Sequence, residues 1–296
     1  MKKAAYRLLG GLALAQCAAW PAHGGNEAWT VSLLASERGR LLTVSNATLA
    51  ATVSEPVFWT LTEIRYQGTL LVGSRGANGA VANVKHTQAD GSVSNLWIGT
   101  GHGLETLRAF SVEVDGRPCE LREGMAVAGR AVTLTKRSTL GLLDQTAVIQ
   151  FPDSGDRLIE RHRFTVNTTP AQSLNFLYAY MHCNENALTE WRAWTASDAI
   201  LTGSCTGDDN TFHLKQDVRA VSFFAPSLGL GLSYIFPEVY PGKRIRNAIW
   251  DRPHDNKLYF TPDIPEVPAV GAGYDYAVTV MPFQSTLEAW AARSAP

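Results

Sequence analysis

From residue 29 onward, apolar and polar side chains alternate with a period of two, and turn residues break the alternation about every ten positions. That pattern limits the fold more than any other feature of the chain. A segment with period two buries one side only when it is extended, and it cannot present a continuous apolar stripe as a helix. The alternation predicts strands over 30–34, 40–44, 47–53, 61–66, 69–72, 107–114, 126–136, 145–151, 157–166, 173–181, 218–225, 231–236, 257–261 and 274–282. Gln67-Gly68 and Asp115-Gly116 read as two-residue hairpin turns. The clearest helical stretch is TLEAWAA over 286–292, a short terminal helix. Some fourteen strands without helical interludes define an all-β class, a large antiparallel β-sandwich with a short C-terminal helix. No fixed-period repeat is visible, which disfavours propellers and β-helices. Residues 73–83 and 202–210 read as loops, and no stretch reads as a linker, so 25–296 is expected to form a single β-sandwich domain.

Composition narrows the partners. The chain has 296 residues, 45% of them hydrophobic and 18% charged, enough to build a large core and too apolar for a disordered chain. Lys and Arg number 26 against 27 Asp and Glu, a net charge of -1, so no basic face for nucleic acid is expected. Residues 1–24 read as a secretory signal. Lys2, Lys3 and Arg7 precede a short apolar run over 8–15, and Ala22 and Gly24 occupy the -3 and -1 positions of a cleavage site. Lipid attachment at Cys17 is the lesser alternative, because Gln16 is a poor neighbour for that processing. No later run is long enough to span a membrane, and the expected location is periplasmic or secreted. Export leaves Cys119, Cys183 and Cys205, an odd number. Cys183–Cys205 is the expected disulfide, with three buried thiols as the alternative.

Several chemistries lack their signatures. GxSxG, HExxH, CxxC, the Walker loop and GxGxxG are all missing, so neither a metal nor a cofactor is expected. Two segments instead concentrate reactive side chains. In 173–194, alternation puts Tyr178, Tyr180 and His182 on one face, followed by Asn184, Asn186, Glu190, Trp191 and Trp194. Phenols and imidazole can act as general acid and base, and Trp or Tyr faces stack on sugar rings. In 243–260, Arg244, Arg246, Arg252 and Lys257 surround Trp250, Asp251, His254 and Tyr259. Cations interleaved with aromatics suit an anionic ring such as a uronic acid, with Arg forking onto its carboxylate. His102 stands in the glycine-rich turn GTGHG as a third candidate. Glu160 to Arg163 reads mainly as cross-strand pairing, and His86 and His213 are assigned no role.

The segment Val44-Ser45-Asn46-Ala47 with LTEIRYQGTLL over 61–71, the strand over 174–182 and the tail over 274–290 resemble galactose-mutarotase-like super-sandwich proteins. That resemblance implies a super-sandwich fold and a carbohydrate-active role. In the mutarotases a His acts as acid and a late Glu as base, which would be His182 with Glu238 or Glu266. In the sandwich lyases Tyr or His removes the C5 proton of a uronate while Arg, Asn or Gln neutralises its carboxylate. The resemblance therefore implies His182, Tyr180, Arg246 and Asn184 as catalytic residues. Tyr178, His102, Arg244, Trp250, His254, Tyr259 and Trp191 would bind substrate. The leading expectation is an exported polysaccharide lyase that cleaves an acidic glycan by β-elimination. The alternatives are an aldose mutarotase or epimerase, and a non-catalytic glycan-binding envelope protein.

Overall fold

The computed structural model describes residues 28–37, 39–73, 78–169, 173–178, 180–208, 211–216, 218–236, 245–262 and 267–293. At 86–87, 173–178, 180–183, 215–216, 245–247 and 260–262 it describes the backbone alone. The segment read as a signal, 1–24, lies outside the described residues.

The chain is all-β and closes on one short helix. β1 (Trp29–Ser36), β2 (Gly39–Ser45), β3 (Leu49–Ser54), β4 (Thr60–Tyr66) and β5 (Thr69–Val72) follow one another as hairpins. β6 (Val81–Thr87) and β7 (Val93–Gly99) form a separate pair. Next come β8 (Glu105–Val114), β9 (Arg117–Cys119), β10 (Ala126–Gly129), β11 (Val132–Leu140), β12 (Leu143–Phe151) and β13 (Leu158–Val166). β14 (Ser173–Tyr178), β15 (Tyr180–Glu185), β16 (Glu190–Thr195), β17 (Ile200–Ser204) and β18 (Phe212–Gln216) follow. β19 (Val218–Ala225), β20 (Leu230–Ile235), β21 (Ile245–Asp251), β22 (Asp255–Pro262) and β23 (Gly273–Gln284) lead into α1 (Leu287–Ala291).

Sheet A runs β10-β1-β2-β3-β4-β5-β15-β22-β21-β18, sheet C runs β17-β16-β19-β20-β23-β13-β12-β11-β8-β9, and β14-β6-β7 forms a small third sheet. The two long sheets stack face to face. Trp29, Val31, Leu42, Val44 and Ile64 from sheet A and Leu143, Phe164, Leu232 and Val280 from sheet C are all fully buried. Each such side chain contributes about 1.5–3 kcal/mol when removed from water.

Local chemistry explains the turns. Gln67 (φ 49°) with Gly68 (φ 78°), and Asp115 (φ 52°) with Gly116 (φ 71°), put both turn residues in the left-handed region, as the hairpin reading requires. α1 starts at Thr286, whose hydroxyl accepts from the Ala289 N–H at 3.1 Å. It lies on the outer face of sheet C, where Trp290 stacks on Phe224 with centroids 5.2 Å apart. Gly231 leaves room there for Phe283, since a Cβ would sit 2.1 Å from that ring.

The described residues form 23 strands, more than the alternation shows. The segment 243–260, where the alternation shows a strand only from 257, also supplies β21 and the start of β22. Within 73–83, read as a loop, β6 begins at Val81. One expected strand is two: β14 ends at Tyr178 and pairs with β6, while β15 begins at Tyr180 and pairs with β22.

Candidate functional site

The interior has a polar centre. On sheet C the inward positions of β11, β12 and β13 are apolar at both ends but read Lys136, Ser138, Gln145, Glu160 and His162 in the middle. Lys136 Nζ lies 2.8 Å from Glu105 Oε1 and donates to Thr60 Oγ1 of sheet A at 2.8 Å. Gln145 Nε2 is 3.2 Å from His162 Nδ1, and His162 Nε2 is 3.4 Å from Glu160. Burial pushes the Lys136 ammonium below the usual lysine range, while Glu105 opposes that shift. Trp59 and Phe110, stacked 4.5 Å apart, line the same chamber. Its volume is about 30 Å³, room for about two waters and far too small for a sugar ring. This network is therefore structural polar packing between the sheets.

The positions expected from 173–194 are divided between two sheets: Tyr178 on β14, and Tyr180, His182 and Asn184 on β15. Tyr178 and Tyr180 belong to different sheets, so the three positions do not share one strand face. His182 stands opposite Leu258, which in turn stands opposite Ile249, and both partners point into the sandwich. Arg246 stands opposite Thr261, so by the parity of the ladder its position lies on the other face from that of His182. Asn184 is fully buried and accepts from the Tyr234 hydroxyl of sheet C, a bond between the sheets rather than a contact open to substrate. Trp191 is 6% exposed, packed flat over Gly203 in the core. Glu238, Glu266 and Arg244 lie outside the described residues, as do the side chains of Tyr178, Tyr180, His182, Cys183 and Arg246.

The expected disulfide is also corrected. Cys205 is a free, buried thiol. Cys183 stands opposite Lys257, on the far face of sheet A from Asp251, whereas Cys205 lies beside Asp251. Burial, with Asp251, Glu190 and Asp208 nearby, pushes the Cys205 thiol up to about 12.

Of the residues expected from 243–260, Trp250, Arg252, Lys257 and Tyr259 lie together. Trp250 on β21 stands opposite Lys257 on β22 and Phe212 on the edge strand β18. The Phe212 and Trp250 rings are near-parallel with centroids 5.4 Å apart, and Tyr259 lies 6.4 and 6.3 Å from them. The Arg252 guanidinium is 4.6 Å and Lys257 Nζ 5.7 Å from the Trp250 ring centroid. Asp255 lies between the cations, 3.4 Å from Arg252 and 4.0 Å from Lys257, so the trio carries one net positive charge. His254 is exposed in the turn joining β21 to β22. Arg246 shares the register parity of Trp250. His102, stacked 5.8 Å from the half-exposed Trp97, feels the Lys257 charge. Burial first, then Lys257, holds its imidazole below the ordinary range.

His213 is the residue the sequence reading missed. It lies 3.3 Å from Asp251, with Cys205 close to both. No spacing motif marks this trio, because its members come from three separate strand ends.

No known protein family and no curated protein sequence matches the chain. Solved structures do. The galactosidase domain of alpha-galactosidase-sucrose kinase, AgaSK, superposes with a TM-score of 0.54 at 10% identity, over 87% of this chain and 42% of that one. The GH36 alpha-galactosidase AgaB from Geobacillus stearothermophilus gives 0.53 at 11% identity, over 87% and 42%. This chain thus spans about two-fifths of the structures it matches. The similarity establishes the sandwich fold that the alternation predicts.

Proposed function

We propose that this chain is an exported carbohydrate-binding protein whose ligand is an acidic glycan held on the Trp250 face of sheet A. The carrying observation is the trio of Arg252, Lys257 and Asp255 beside three near-parallel aromatic rings. One net positive charge next to an apolar ring surface matches a sugar that carries one carboxylate. Sandwich folds like those of the alpha-galactosidases above support a carbohydrate role, although a fold hosts many functions. Binding is favoured over β-elimination because a lyase needs its proton acceptor and its carboxylate-neutralising group on one face. The ladder sets the positions of His182 and Arg246 on opposite faces.

The test is calorimetric titration with uronate oligosaccharides and their neutral counterparts. Arg252→Ala should weaken the uronate about 10- to 100-fold, the effect of losing a hydrogen bond to a charged group. Trp250→Ala should weaken both kinds of ligand. Equal affinity for neutral and acidic oligosaccharides, or an unsaturated product absorbing in the ultraviolet, would reject this reading.

A further inference from the structure

A cluster at the far end of sheet A is not used by the glycan face. Cys205 follows β17, His213 lies on β18 and Asp251 ends β21, and their donor atoms all fall within 4.8 Å of one another. The strand ends are fixed by backbone bonds, Cys205 N–H to the Thr189 carbonyl at 2.7 Å and Asp251 N–H to the Thr211 carbonyl at 3.0 Å. We propose that Cys205, His213 and Asp251 hold a zinc ion, with a water at the fourth position.

Three observations carry this. First, His213 Nε2 and Asp251 Oδ2 are 3.3 Å apart. That is about the edge of a tetrahedron whose N and O ligands lie about 2.0 Å from the metal. Second, Asp251 is fully buried and oriented by the backbone N–H groups of Thr206 and Gly207, each at 2.6 Å. Such outer partners fix a ligating carboxylate. Third, Cys205 lines a cleft of about 310 Å³ together with Thr206, Gly207, Asn186 and Arg252. Three protein ligands with a cleft beside one of them leave an exchangeable fourth position, as in a zinc site that is not closed. A thiolate with an imidazole selects zinc over calcium or magnesium. Thiolate and carboxylate together balance the charge of the ion. An ordinary His–Asp hydrogen bond would need neither the sulfur nor the cleft.

The test uses the full chain stripped with a chelator and does not depend on the glycan reading. Titration with zinc against a chromophoric chelator should give one ion per chain. Cobalt in place of zinc should give the near-ultraviolet sulfur-to-metal charge-transfer band together with visible bands of tetrahedral intensity. Cys205→Ser and His213→Gln should each weaken zinc by more than about 100-fold, beyond the loss from removing a merely supporting group. Circular dichroism checks that the variants fold. If a variant does not fold, the cobalt spectrum of the unaltered chain decides alone. Zinc uptake no greater than that of the double variant, or a cobalt spectrum without the sulfur band, overturns the proposal.

Discussion

Glu105→Gln should lower the free energy of unfolding by about 3–5 kcal/mol, read from the midpoint of a urea titration at unchanged slope. The reason is the environment of Lys136. Its ammonium and the Glu105 carboxylate are almost wholly buried, with side-chain exposures of 6% and 0%. A charge taken out of water is tolerable only while its partner remains, and the glutamine amide removes the opposing charge but keeps the shape. The double change Lys136→Met with Glu105→Leu should recover most of the loss, because an apolar pair of similar volume has no desolvation to offset. If Glu105→Gln alone is neutral, water in the adjoining chamber is solvating Lys136 and the network is not a dry ion pair. The pH dependence has a definite sign. The folded value of Lys136 lies below the ordinary 10.5, so the unfolded chain binds the proton more tightly. Stability therefore gains from this group as pH rises from the folded value towards 10.5, a gain that the Lys136→Met variant should lack.

Trp290→Ala should cost about 3–5 kcal/mol and lower Tm by roughly 10 °C, measured by calorimetry. α1 has only five residues, too few to persist without docking. Trp290 supplies that docking. It is 4% exposed, stacks on Phe224 and donates its indole N–H to Ser222 at 2.9 Å. Arg192 is buried between the Trp194 and Trp290 rings, 5.7 Å from each centroid, and donates to the Trp290 carbonyl at 3.0 Å and to the Ala291 carbonyl. Truncating the indole therefore leaves a cavity and also exposes a cation that the helix end had satisfied. An unchanged Tm would mean that α1 caps sheet C without stabilising it.

The period-two alternation and the turn residues carried the fold class, because side-chain parity and left-handed turn positions are local properties. The terminal helix was readable for the same reason. The central polar rows of β11 to β13 were harder to read. Lys136, Gln145 and His162 sit at inward parity, but a single strand cannot show that three neighbours interrupt an apolar face together. At the site, clustering along the chain found Trp250, Arg252, Lys257 and Tyr259, since a hairpin brings them together. It grouped Tyr178 with Tyr180 and His182, but the fold separates Tyr178 from the other two, because the chain changes sheets between β14 and β15. Nothing local announces that switch. It also failed for His213, whose partners lie on distant strand ends and become neighbours only through sheet order.

Among the described residues, β5 and β15 are joined by a single register pair, Val72 with Asn184, whereas β11 and β12 are paired along their whole length. That rung divides the described part of sheet A into an N-terminal leaf of β10 and β1 to β5 and a late leaf of β15, β22, β21 and β18. The late leaf carries the Trp250 face on one side and contributes His213 and Asp251 on the other. With one described pair across that boundary, the late leaf is expected to open as a cooperative unit below the global unfolding free energy. Amide exchange should then protect β15, β22, β21 and β18 as one block, less than β11 to β13. Any ligand of this leaf stabilises the closed arrangement, so occupancy would register as slower exchange on both of its faces at once.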